Sequence, residues 1–305
     1  MILTLEGVSK HFGAFKAVKD LSFSVTEGEI VGFLGQNGAG KTTTLRMVMD
    51  ILPPTKGRIE LFGSKNLRDG RLKVGFLPEE RGLYRKMKAV DTIAYFGRLK
   101  GVPGKTAKKR ANELLERFGM TQYAQNKIET LSKGNAQKIQ LLSVLTHAPK
   151  FLILDEPFSG LDPVNQKLLE DLISDLRKEG ATVLFSTHTM EHAERLCDRF
   201  VMIKAGEKVF EGTIEEARDA YERRLILATP DDPQRLVGHA GITAVTPLGR
   251  DRYALSVQEG TDSQSVLAAI LAAGIHVISF GREEARLHDI FFRLAGADQT
   301  QEQAA

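Results

Sequence analysis

Leu3 to Val8 and Leu21 to Val25 alternate or run apolar in the manner of strands, and a turn-prone Glu27-Gly28-Glu29 separates them from a further apolar run, Ile30 to Leu34. That run is short, β-branched at its start and bounded by glycine, which reads as a strand buried on both faces. The period then changes. Thr42 to Leu52 follows a helical pattern until Pro53-Pro54, where the missing N–H and the ring clash stop a helix. Arg58 to Phe62 and Lys73 to Leu77 read as short strands. From about Glu79 to Thr130 the chain is charge-rich and helically periodic, with Leu114, Leu115 and Phe118 spaced to share a face. Two more buried-strand runs, Phe151 to Leu154 and Thr182 to Ser186, flank a helix over Asn165 to Lys178. Strands alternating with helices predict an α/β fold: a mainly parallel sheet covered on both faces, carrying a helical insertion.

Near Tyr221 the character changes. A strand over Leu225 to Ala228, a short polar helix, strands near Ile242 to Leu248 and Tyr253 to Val257, a helix over Ser263 to Ala273 and a strand over His276 to Phe280 follow in order. That succession predicts a small α+β domain of ferredoxin type, a split βαβ unit, followed by an amphipathic helix through Ile290 to Leu294. The expected boundaries are 1–220 for the larger domain, with its helical subdomain at about 79–135, then 221–297 for the smaller one and 298–305 for a polar flexible tail.

Composition narrows the class. With 42% hydrophobic and 27% charged residues the chain is globular, and its longest apolar candidate, Val266 to Ala273, falls far short of the roughly 20 residues that span a bilayer. Met1 to Gly7 lacks the basic flank and long apolar run of a secretory signal, and the single Cys197 has no partner in its own chain. A reducing, cytoplasmic setting is expected, with Cys197 a packed small residue. A formal charge of +3 is weak evidence for nucleic acid, since such binders usually concentrate their basic residues on one face, and no nucleic-acid partner is expected. The local basic excess, Arg98, Lys100, Lys105, Lys108, Lys109 and Arg110, reads as a solvated helix face or, alternatively, a contact for a membrane surface or an acidic partner.

Gly35-Gln36-Asn37-Gly38-Ala39-Gly40-Lys41-Thr42 matches G-x-x-x-x-G-K-[ST] in full, between an apolar strand and a helix. Glycines let backbone N–H groups curl around phosphate oxygens. Lys41 is placed to reach the β- and γ-phosphates of a nucleotide, Thr42 to ligate magnesium, and the helix N-terminus to add partial positive charge. Phe151 to Leu154 ends in Asp155 and Glu156 at the edge of the sheet where ligands sit. Asp155 is expected to hold magnesium, directly or through water, and Glu156 to polarise the attacking water as general base. His188-Thr189-Met190-Glu191-His192 also fits the zinc-protease spacing H-x-x-E-H, but His188 directly follows a strand and so sits on a loop, which disfavours that reading.

Leu131-Ser132-Lys133-Gly134-Asn135 precedes a helix, with Ser132 as a candidate N-cap. Taken with the two motifs above, it resembles the signature, usually L-S-G-G-Q, of the ABC-type ATPases. Phe12, Ser159-Gly160-Leu161-Asp162 and His188 match that family's adenine-stacking aromatic, D-loop and switch histidine. The resemblance spans about residues 1–220 and implies the P-loop NTPase fold. It also implies ATP hydrolysis with Lys41, Glu156 and His188 as catalytic groups. Nucleotide contacts are implied for Phe12, Gly35, Gln36, Asn37, Gly38, Ala39, Gly40, Lys41, Thr42, Thr43 and Asp162. A head-to-tail homodimer is implied as well, in which Ser132 and Gly134 of one copy complete the γ-phosphate site on Lys41 of the other.

Two departures stand out. Glu79 occupies the position where the family usually has a glutamine that touches magnesium and the transporter, and Lys133 and Asn135 replace the commoner glycine and glutamine of the signature. Glu79 is carried as a third magnesium candidate. Glu79 to Tyr84 and Leu287 to Phe292 look like bacterial exporters of the ABC-2 type. The resemblance therefore implies an ATPase subunit on the inner face of the membrane that drives a separately encoded integral permease. The alternatives are a soluble relative acting on ribosomes or DNA, and a module that holds ATP without hydrolysing it. The first usually carries paired units or long coiled coils, and the second is disfavoured by Glu156 and His188.

Overall fold

The computed structural model describes residues 1–80, 82–220, 224–258, 260–282, 287, 290 and 291. It divides into two compact units, Met1–Ile214 and Glu215–Ala305. The first unit opens with β1 (Leu3–Phe12), β2 (Phe15–Val25), β3 (Ile30–Leu34) and α1 (Lys41–Val48). Next come β4 (Lys56–Leu61), α2 (Leu67–Arg71), β5 (Val74–Leu77), α3 (Ala89–Leu99), α4 (Gly104–Arg117) and α5 (Lys133–Leu145). It closes with β6 (Phe151–Asp155), α6 (Pro163–Lys178), β7 (Thr182–Thr187), α7 (Met190–Leu196), β8 (Arg199–Lys204) and β9 (Glu207–Gly212).

Every residue of β3, β6 and β7 is buried, as their unbroken apolar runs predict. They occupy the middle of a sheet ordered β5-β6-β7-β3-β8-β9, parallel throughout except for the antiparallel edge strand β9. Because β7 lies between β6 and β3, the loops leaving all three strands emerge side by side at one edge of the sheet. A second, antiparallel sheet is ordered β2-β1-β4. Its first two strands run further than their apolar stretches, meeting at Phe12 and Phe15, because cross-strand pairing carries the exposed residues of the hairpin end.

The helical insertion comprises α3, α4 and the start of α5, with Ile93, Ala107, Ala111, Leu115 and Ile139 buried in one cluster. Leu114 and Phe118 pack against the same cluster, half-buried. α1 ends earlier than its apolar pattern suggests. Asp50 turns left-handed at φ 54°, and the N–H groups of Ile51 and Leu52 both return to the Arg46 carbonyl, so the helix closes before the prolines act. The basic residues of the insertion do not form one face: Lys100 donates to the Arg71 and Val74 carbonyls, Arg110 to the Thr146 carbonyl, and Lys108 pairs with Asp91.

His147, just past α5, faces the Val74 carbonyl through Nε2 at 3.3 Å. Burial, reinforced by the nearby charges of Lys100 and Arg110, pulls its pKa from 6.5 to about 4. The unfolded chain therefore takes a proton that the folded chain refuses over that window. The contribution is fully present above pH 6.5 and is lost as pH falls toward 4. A His147→Gln variant is expected to show a flatter decline of melting temperature over that window than the parent. Parallel declines in the two proteins would remove His147 as the source.

α8 (Ile214–Ala220) is followed by β10 (Arg224–Ala228), β11 (Ile242–Gly249), β12 (Arg252–Val257), α9 (Ser263–Ala272) and β13 (Ser279–Arg282). The sheet order β11-β12-β10-β13, all antiparallel, is that of a ferredoxin-type split βαβ unit. Leu225, Leu227, Leu255, Val266 and Ile270 form its core. The expected first helix is only a 3-10 turn, Pro233–Leu236, capped by Asp232. The last strand starts later than its apolar residues do, because the His276 N–H is held by Asp231 and Ile275 plugs the core. Leu287, Ile290 and Phe291 are helical and buried. The rest of the expected closing helix and the polar tail lie outside the described residues. Among the described residues, no helix is long and apolar enough to cross a membrane.

Candidate active site

β3 delivers the chain to the edge of the sheet at Leu34, and three glycines shape the loop between it and α1. A Cβ on Gly35 would sit 2.6 Å from the Ile203 carbonyl oxygen, and one on Gly40 would sit 2.6 Å from that of Ala17. Gly38 faces open space and is needed for its φ of +80°. The Ala39 N–H donates to the Gln36 carbonyl at 3.1 Å, closing the turn, and the Gly206 N–H ties the loop to the β8–β9 connection through the Ala39 carbonyl at 3.0 Å. Gln36, Asn37 and Gly38 are left exposed, while Gly35 and Ala39 are buried. α1 starts at Lys41 without a side-chain cap, so its first N–H groups and partial positive charge point at this loop. Thr42 and Thr43 are half-buried in its first turn.

Lys41 is 5% exposed. Its Nζ donates to the Gly35 carbonyl at 2.6 Å and the Gln36 carbonyl at 3.3 Å, and lies 3.1 Å from Glu156 Oε1. Asp155, at the end of β6, accepts hydrogen bonds on Oδ1 from Thr42 Oγ1 at 3.2 Å and Ser186 Oγ at 2.6 Å. Burial raises its pKa, and those two hydroxyls oppose the rise. Glu156 sits in the left-handed region at φ 47°, which swings its side chain off the strand and toward the loop. Its N–H is held by Ser186 Oγ at 2.9 Å, and its Oε2 accepts from His188 Nδ1 at 2.9 Å, which fixes the imidazole proton on Nδ1. Oε1 is buried without an aligned hydrogen bond, although the Lys41 ammonium is near it.

Ser186 escapes a reading of motifs, yet it fastens both carboxylate residues. Its sequence signal is a hydroxyl at the end of an apolar strand. The register Asp155↔Ser186 is what gives that hydroxyl a role.

The structure thus unites Lys41, Thr42, Asp155, Glu156 and His188. Among the described residues, Phe12, Glu79, Ser132, Gly134 and Asp162 make no hydrogen bond to that group. Phe12 is half-exposed at the end of β1, with Lys10 Nζ 5.2 Å from its ring centroid. Glu79 lies in an exposed bend after β5, which pairs with β6 at Leu77↔Leu154. Ser132 caps α5 through the Asn135 N–H at 3.2 Å. A Cβ on Gly134 would meet Asn165 Nδ2 at 2.9 Å. Asp162 caps α6, and the amides of Asn165 hold its pKa below the usual carboxylate value. His188 and His192 have separate partners, Glu156 for one and Glu170 for the other. Among the described residues no cluster of three metal-ligating side chains occurs.

Comparison with known proteins places this geometry. The ABC transporter family profile matches residues 18–159, and that of the ATP-binding protein DrrA1-3-like C-terminal domain matches residues 212–295. YhaQ of Bacillus subtilis strain 168, an ABC transporter ATP-binding protein, is 42% identical over 97% of this chain and 99% of its own. The daunorubicin resistance ATP-binding protein DrrA3 of Streptomyces coeruleorubidus is 33% identical over 99% of this chain and 98% of its own. Among solved structures, the dimeric ATP-binding cassette MJ0796, bound to ADP and Pi in a post-hydrolysis state, superposes with a TM-score of 0.64. It is 25% identical over 70% of this chain and 98% of its own. Likeness that runs the full length of such relatives, joined to a loop and carboxylates arranged for a nucleotide triphosphate, makes this chain a member of the ATP-binding proteins of ABC transporters, ATPases of the P-loop fold.

Proposed function

We propose that the chain hydrolyses magnesium-ATP as the energy-supplying subunit of an exporter, closing head to tail on a second copy and driving a separate integral membrane permease. The observation that carries the hydrolytic part is the state of Glu156. One carboxylate oxygen is anchored by His188, the other is buried beside Lys41 with no aligned donor, and a phosphate loop lies next to both. When a triphosphate takes the Lys41 ammonium, Oε1 becomes free to accept a proton from water. His188 holds Glu156 Oε2 through Nδ1 and so orients the base beside the phosphate loop. The exposed backbone of Gln36 to Gly38, the first turn of α1 with Thr43, and Phe12 at the hairpin end hold the nucleotide.

Magnesium fits the residues present. A buried carboxylate whose charge is penalised by its surroundings, beside a threonine hydroxyl, is a hard oxygen donor set for a small divalent cation. Thr42 and Asp155 would hold it, with Glu79 approaching from the neighbouring strand end. Held there, it would supply positive charge against the triphosphate.

Residues 1–220 are assigned as the ATP-binding domain, with 79–135 as its helical subdomain, and 221–297 as an accessory domain for regulation or dimer support. Export is favoured because relatives include proteins named for daunorubicin and linearmycin resistance. A seat for the permease is supported by a cavity of about 180 Å³ beside Pro78, lined by Phe76, Leu83, Phe96 and Leu99, the last of these 59% exposed. Such a subunit works on the inner face of the membrane.

The test is magnesium-dependent phosphate release by the purified chain, with a Lys41→Ala variant beside it. The variant is expected to lose nucleotide binding and turnover together. Parent-like binding in Lys41→Ala would displace the proposed phosphate site. Co-purification with an integral membrane protein tests the transport part separately.

A further inference from the structure

Glu156 and His188 both sit on loops, one just past β6 and the other just past β7, and a hydrogen bond of 2.9 Å must be kept between them. Behind them lies a second histidine. Phe158, two residues after Glu156, is buried and stacks on the His192 ring at a centroid separation of 3.9 Å and an interplanar angle of 16°. It also meets Phe185 of β7 edge-on at 5.8 Å. His192 lies four residues after His188 and is buried within α7. Its Nδ1 donates to Glu170 Oε1 of α6 at 3.0 Å, and the same oxygen accepts from Arg195 Nη1 at 3.2 Å.

His192 therefore touches both loops that carry the hydrolytic pair: one through a ring face, the other through its own helix. Its orientation is fixed from a third direction. Glu170 is only 3% exposed, and rotating the imidazole away would strip a buried carboxylate of one of the two side-chain donors it has among the described residues, which is costly. The turn that it clamps continues outward. The Ser159 N–H returns to the Glu156 carbonyl at 3.1 Å and the Leu161 N–H to that of Phe158 at 3.2 Å, so the stretch leading to Asp162 is built on the stacked ring.

We propose that His192 is a positioning residue for hydrolysis, locking the Glu156-Pro157-Phe158 turn to the helix behind His188 so that the two reacting side chains stay in register. This rests on the assignment of Glu156 and His188 as the hydrolytic pair. Two substitutions separate its two contacts. His192→Asn keeps an N–H donor near the position of Nδ1 and loses the ring stack. His192→Phe keeps a ring against Phe158 and loses the bond to Glu170.

Each is expected to lower kcat about tenfold, because small misplacements of reacting groups cost rate, while KM for ATP stays within about twofold. Rates are normalised to nucleotide-binding sites, so that any loss of folded protein does not enter. The decisive measurement repeats both substitutions in a His188→Ala background, where a residue that acts through the pair has nothing further to lose. Near-parental kcat in both single variants overturns the proposal. So does an undiminished tenfold loss in the His188→Ala background, which marks a merely structural role. If His188→Ala itself turns over like the parent, the hydrolytic assignment fails first and takes this inference with it.

Discussion

Replacing Glu156 by glutamine is expected to leave nucleotide binding intact and to lower turnover by about 10²-fold or more, the scale on which a positioned general base contributes. The side chains are isosteric. The His188 Nδ1–H can donate to the amide oxygen as it does to Oε2, so the pair keeps its geometry. Lys41 loses a charge at 3.1 Å but retains the Gly35 and Gln36 carbonyls, so the buried ammonium stays partnered and free to meet a phosphate. The proton-accepting lone pair at Oε1 is what disappears. With hydrolysis blocked and binding kept, the variant is expected to accumulate as an ATP-bound closed dimer, visible by gel filtration in the presence of ATP and magnesium. Parent-like phosphate release by this variant would end the assignment of Glu156 as base.

The residues of that site were legible in the sequence to unequal degrees, and the difference is physical. The phosphate loop and β3 announce themselves because local rules fix both: an unbroken apolar run makes a buried strand, and glycines before Lys41-Thr42 make a loop. Two of those glycines have a second reason that no local pattern contains. The Ile203 and Ala17 carbonyls crowd Gly35 and Gly40 from distant parts of the chain, so the protein's own backbone, as well as a phosphate, forbids a Cβ there. Ser186 became visible only through the register of β6 against β7. The left-handed backbone of Glu156 is equally silent in sequence, since a glutamate seldom adopts it without tertiary support. In the smaller unit the strand order followed from the succession of elements, while the start of β13 did not. A side chain, Asp231, captures the approach to that strand from outside it.

Ser132→Arg is the second substitution with a large expected effect, and it separates what one copy does alone from what two copies do together. Ser132 is exposed and makes no hydrogen bond to Lys41, Thr42, Asp155, Glu156 or His188 of its own chain. Its local duty is the cap on α5, the loss of which costs about 1 kcal/mol, too little to unfold a unit of this size. Nucleotide affinity measured on dilute, monomeric protein is therefore expected to stay within about twofold of the parent, because the groups that bind phosphate are untouched. Turnover is expected to fall by about two orders of magnitude. In the proposed head-to-tail arrangement, a long cation at the start of α5 would project into the surface that the second copy approaches, and the closed dimer of the Glu156→Gln variant should no longer form when Ser132→Arg is added. If affinity in the isolated monomer falls as far as turnover does, Ser132 acts within its own chain and the head-to-tail arrangement loses its support. If the double variant still dimerises with ATP, the surface around α5 is not where the two copies meet.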